Sequence, residues 1–188
     1  MWPARLSPCL AAAVVIAAVA GPASEGRTEA LLARDEALAL AFPGAQTESR
    51  TVFLSEAQLA TLRERMGKEA PSKLFTYYTA RRDGAVVGYG VIETHVVRTL
   101  PEAFLVVLSP AGTIERVLML AFYEPPEYRP SDRWLEQFTG RTAKGEHGWR
   151  VGRDVHGITG ATLTAHAVTE ALRRIVLEFD LVVGSRSK

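Results

Sequence analysis

Three threonines, a glycine and an alanine crowd into Thr159-Gly160-Ala161-Thr162-Leu163-Thr164, just ahead of a long amphipathic run. A helix opening here presents backbone N–H groups that lack intrahelical partners, together with the positive end of its dipole. Both favour an anion such as phosphate. Gly160 and Ala161 keep side chains out of an approaching ligand's way. The hydroxyls of Thr159, Thr162 and Thr164 can cap the helix or bond phosphate oxygens. His156, six residues before Thr162, adds an imidazole. The same residues also suit an ordinary helix start with a threonine N-cap, and residue types alone leave both readings open.

Other chemistry-bearing residues are scattered. His95 and Arg98 (Thr94-His95-Val96-Val97-Arg98-Thr99) end an apolar strand pattern. There Arg98 is either a solvated cation or a partner for a phosphate. Glu124 closes another strand, where it can cap a loop. His166 falls outside the apolar stripe and reads as surface, and His147 sits in a polar loop. The four histidines lack an H-x-x-x-H spacing, so no metal site is indicated. Ser55 and Ser109 show no nucleophile elbow. The formal net charge is +1 with no block of like charges, which excludes a nucleic-acid footprint.

The elements that must position these residues follow from periodicity. Residues 1–23 read as a signal peptide: Arg5, then the apolar run 10–20, then small residues. That run is short of the ~20 residues a spanning helix needs, although an uncleaved anchor is the alternative. Cys9, the only cysteine, precedes the run and leaves with it, so disulfides and thiolate chemistry are not expected. Residues 24–73 read as a helical segment, with one helix over 27–42 and a second opened by a Ser55/Gln58 capping box. Residues 74–182 read as the main domain. Asp83-Gly84 joins strands over 74–82 and 85–94, and Pro110-Ala111-Gly112 joins strands over 103–108 and 113–123. A short helix over 131–138 puts Trp134 and Phe138 on one face. The last helix carries a stripe of Leu163, Ala167, Ala171, Ile175 and Phe179, widened by Val168, Leu172 and Val176, with His166, Thr169, Glu170, Arg173 and Arg174 outside it. The expected fold is α+β: antiparallel hairpins packed against helices, with the C-terminal helix opening at the candidate phosphate site.

TGATLT (residues 159–164) resembles the flavinylation motif of the FMN-binding domain family. That family includes subunits of the Rnf and sodium-translocating NADH:quinone reductase complexes, NosR-like regulators and small exported flavoproteins. The segment 102–126 is similar to the family's core hairpin, and Trp134-Leu135-x-x-Phe138-x-Gly140 to its following helix. The resemblance implies FMN as cofactor, joined covalently by a phosphoester to Thr162 and installed from FAD by a flavin transferase of the ApbE family. Thr159, Gly160, Ala161, Leu163 and Thr164 would surround the phosphate, with His156, Arg98 and Glu124 as further cofactor-binding candidates. The family's aspartate six residues before the acceptor is here His156, and Asp154 is out of register. The function so implied is exported, periplasmic electron transfer with a membrane or soluble redox partner. Two alternatives are a flavin-dependent reductase using His95 or Glu124, and a non-redox sensor or binding module that has lost the flavin.

Overall fold

The computed structural model describes residues 29–68, 72–144 and 148–184. The expected signal segment and His147 lie outside them. Among the described residues six strands form one sheet in the order β1-β6-β5-β4-β3-β2, every neighbouring pair antiparallel. They are β1 (Glu29–Ala30), β2 (Gln46–Phe53), β3 (Leu74–Arg82), β4 (Ala85–Val96), β5 (Pro101–Leu108) and β6 (Ile114–Phe122). The helices are α1 (Arg34–Ala41), α2 (Glu56–Met66), α3 (Asp132–Leu135, continued by a 3-10 turn, Glu136–Phe138) and α4 (Thr162–Val182). The α+β expectation of antiparallel hairpins, helices and a closing C-terminal helix is borne out.

Local sequence explains most boundaries. Asp83 and Gly84 take φ of 52° and 80°, as a two-residue turn between twisted strands requires. The Ser55 side chain accepts from the Gln58 N–H while Gln58 accepts from the Ser55 N–H, so α2 begins on the expected capping box. It ends at Gly67 with φ 75°. β5 is central and buried on both faces. Phe104, Val106 and Leu108 join the core beneath α2 and α4, and Leu105 and Val107 join the core beneath α1. A strand covered on both faces reads as an unbroken apolar run, here Ala-Phe-Leu-Val-Val-Leu. On the α1 side, Gly88 and Gly90 let Phe42 and Leu38 lie directly on the backbone of β4.

Two expectations for residues 24–73 need correction. Residues 29–30 are a short strand rather than helix, because β6 captures the backbone there and Leu31 and Leu32 donate to the Leu120 carbonyl. Residues 46–53 form the edge strand β2, so the segment is not only helical. This strand is exposed along nearly its whole length and has no apolar alternation for a sequence reading to detect. Pairing with β3 organises it.

Candidate functional site

The turn before α4 sets the geometry of its first residues. Gly160 sits at φ 78° with open space where a Cβ would point. The Ala161 N–H closes a turn on the Ile158 carbonyl at 3.0 Å. Ala161 occupies the N-cap and has no side chain able to cap, so the first N–H groups of α4 are left without a side-chain acceptor. The threonine N-cap anticipated as the ordinary alternative is therefore absent. The three hydroxyls are not equivalent. Thr159 and Thr162 are exposed, whereas Thr164 is buried in the core. Leu163, expected on the apolar stripe, is 53% exposed beside Thr162. The buried stripe is rotated from the expected one and includes Thr164, Ala165, Val168, Thr169, Leu172, Ile175, Val176 and Phe179. Thr169 joins it because its hydroxyl is satisfied by the Ala165 carbonyl at 2.6 Å.

His156 is fixed through its backbone. The Trp134 indole N–H donates to the His156 carbonyl at 2.7 Å, and the His156 N–H donates to Gln137 Oε1 at 2.8 Å. Both partners come from the α3 region, so that segment clasps the stretch of chain entering the turn while the imidazole stays exposed. Behind the clasp, Trp134 meets Phe138 edge-on, and Phe138 stacks with Trp149. Arg141 lies over Trp149 and donates to the carbonyls of Gln137 and Asp154. Asp154 does not stand in for the carboxylate missing at His156. Its carboxylate accepts from the Arg150 N–H and lies between Arg150 and Arg153. Desolvation pushes its pKa upward, but that hydrogen bond and the two cations outweigh it and hold the group below the usual value. Gln137 was missed by sequence reasoning. Trp134 was seen only as an aromatic on one face of the short helix, and its half-buried indole N–H was not assigned an acceptor.

The course of α4 relates this turn to the other candidates. Phe179 packs on Tyr89 with ring centres 4.9 Å apart, and Arg174 reaches Glu93 at 2.6 Å. Towards its start, α4 thus advances along β4 towards the loop at residues 97–100, so Thr162 lies at that end of the sheet. Arg98 and Glu124 belong to the same end, and both are engaged. The Arg98 guanidinium sits 4.8 Å from the Tyr128 ring centre. Glu124 Oε1 accepts from the Thr99 and Leu100 N–H groups at 2.8 and 2.9 Å, which lowers its pKa and makes it the cap of that loop. His166 is exposed, as expected.

His95 and Arg174 belong to a charged network that periodicity did not reveal. His95 Nε2 lies 2.7 Å from Oε1 of fully buried Glu102, as a charge contact without hydrogen-bond angles. Its Nδ1 lies 3.5 Å from Glu93. Arg174 joins Glu93 to Glu178, whose pKa burial pushes up. Desolvation works against a charged His95, but Glu102 and Glu93 prevail and raise it to about 9. Arg174, expected outside the apolar stripe, is largely buried because these carboxylates pair with it. Among the described residues no cluster has the makings of a metal site, and no helix is long and apolar enough to cross a membrane.

The arrangement suits a phosphorylated ligand held at a helix start beside an antiparallel sheet. Residues 101–176, from β5 through most of α4, match the model of the FMN-binding domain. The chain is 30% identical over 122 residues to one of the subunits of the sodium-translocating ferredoxin:NAD+ oxidoreductase complex of Acetobacterium woodii. That match covers 57% of this chain and 56% of the relative, so the chain spans about half the relative's length. The crystal structure of NqrC from Shewanella oneidensis shares the fold, with a TM-score of 0.51 and 16% identity over 76% of this chain and 85% of that one. The expected family resemblance is thereby borne out.

Proposed function

We propose that this protein is an exported electron-transfer flavoprotein that holds FMN by a phosphoester to Thr162. The observation that carries the reading is the helix start itself. Thr162 is the exposed first residue of an uncapped α4, directly after a left-handed glycine and Ala161, inside the stretch that matches the family. A phosphate there meets unpartnered N–H groups and the positive end of a 21-residue helix. Gly160 leaves room for it, and Leu163 offers an exposed apolar surface to the ligand's ring. Thr159 is the other accessible hydroxyl. Thr164 is buried and unsuited to be the acceptor.

Attachment by a flavin transferase of the ApbE family joins Thr162 Oγ1 to the FMN phosphorus of FAD. The pyrophosphate P–O bond breaks, AMP departs and the hydroxyl proton passes to solvent. The flavin supplies the redox chemistry, and the chain supplies attachment, orientation and environment. Trp134 and Gln137 hold His156 so that the turn keeps its shape. A membrane redox partner fits the reading, since the Acetobacterium relative belongs to an oxidoreductase complex.

Intact-mass spectrometry tests the proposal. Produced with the transferase, the protein gains the mass of FMN less water and stays yellow after denaturation. Thr162→Val abolishes the gain and Thr164→Val retains it. An unmodified wild type, or labelling that survives in Thr162→Val, refutes the assignment.

A further inference from the structure

We propose that the outer edge of β2 pairs antiparallel with β2 of a second copy of this chain, in a register centred on Ser49. Among the described residues β2 ends the sheet opposite β1, pairing only with β3, and it does so over eight residues without a register shift. Its sequence, Gln-Thr-Glu-Ser-Arg-Thr-Val-Phe, holds no proline, glycine or lysine. Such a straight edge, with half its backbone donors and acceptors pointing outward, is what another strand adds to. The other edge is held by β1, which among the described residues spans Glu29–Ala30.

The faces of β2 limit the registers available. Val52 pairs with buried Phe75 and packs on the core beneath α2 and α4, so Gln46, Glu48, Arg50 and Val52 share that face. Thr47, Ser49, Thr51 and Phe53 share the other. A two-fold axis perpendicular to the sheet keeps each face on its own side, so directly opposed residues must come from the same set. Centring the pair on Glu48 sets that carboxylate against its own copy, and centring it on Arg50 opposes two guanidinium groups. Registers centred farther out overlap fewer residues. Centring on Ser49 sets Glu48 opposite Arg50 twice, Thr47 opposite Thr51, and Gln46 opposite Val52. Like charges directly opposed destabilise a strand pair and opposite charges support it.

Phe53 adds an apolar anchor. It is 79% exposed, and extending the same register by one residue sets it opposite Ala45 of the second copy. Among the described residues neither Glu48 nor Arg50 has an ion-pair partner within the chain, and both line a shallow cleft with Arg81. The two-fold sends the two α4 starts to opposite ends of the joined sheet, leaving both free.

Sedimentation velocity over a concentration series tests the pairing on protein purified from its host. Wild type is expected to pass from monomer to dimer. Arg50→Glu, which opposes four carboxylates, weakens association at least about tenfold. The reversal Glu48→Arg/Arg50→Glu restores it, and so also controls for folding. In a Cys9→Ala background, Ser49→Cys forms an intermolecular disulfide on mild oxidation faster than Thr47→Cys, whose counterpart is Thr51. A wild type monomeric at every concentration overturns the proposal. So does a dimer indifferent to Arg50→Glu, a reversal that fails to restore association, or equal cross-linking at the two positions.

Discussion

Replacing His95 by glutamine removes the cation beside Glu102, a carboxylate with no solvent exposure. Removing one partner from a buried pair typically costs about 3–5 kcal/mol, because the remaining charge stays desolvated. The titration of His95 supplies an independent magnitude. A rise from 6.5 to about 9 corresponds to about 3 kcal/mol of preference for the charged form in the folded state. The His95 side chain is 20% exposed, so solvent screening reduces this to about 2 kcal/mol. The sign follows from the raised value: the contribution is complete below pH 6.5 and is lost as pH climbs through about 9. Urea unfolding of wild type and His95→Gln at about pH 6 and about pH 10 measures it. The variant should be about 2 kcal/mol less stable at the lower pH and nearly equal to wild type at the higher. Adding Glu102→Gln, which removes the orphaned charge, should recover more than half of the loss. A deficit of the same size at both pH values, or none at either, refutes the view of the pair as a charged buried contact.

Three further outcomes follow from particular contacts. Trp134→Phe and Gln137→Leu each remove one hydrogen bond to His156, so each should cost about 1 kcal/mol and slow flavin attachment in a timed intact-mass assay with transferase and FAD. Attachment at the wild-type rate in both would show that the clasp does not shape the turn. Gly160→Ala meets no steric neighbour but must hold φ near 78°, so a loss of about 1 kcal/mol in urea unfolding is expected, with slower attachment. Gly88→Ala puts a methyl 2.8 Å from Phe42 and 3.0 Å from the Leu108 carbonyl, which is backbone and cannot yield; a loss of about 1–3 kcal/mol is expected from the same measurement.

What could be read in the sequence was what neighbouring residues decide among themselves. Asp83-Gly84 needs only its own two φ values to make a turn, Ser55 and Gln58 cap each other within one helical turn, and the apolar run at 103–108 reads as a strand, although only the sheet order makes it a central one. Residues 159–164 likewise announced a helix start suited to phosphate, and their resemblance to the FMN-binding family agreed with the later match. Distant residues decided the rest. β2 has no apolar alternation and is a strand because β3 offers it an edge. Thr164 and Leu163 exchanged their expected environments because packing on the sheet, rather than the apolar count of α4, sets how far the helix rotates. Arg174 could be buried only because Glu93 and Glu178 were folded against it, and Trp134 and Gln137 found their acceptor and donor on a residue about twenty positions away. Periodicity records which face is apolar. Only the tertiary structure determines which charges meet beneath that face and which of the three threonine hydroxyls is buried.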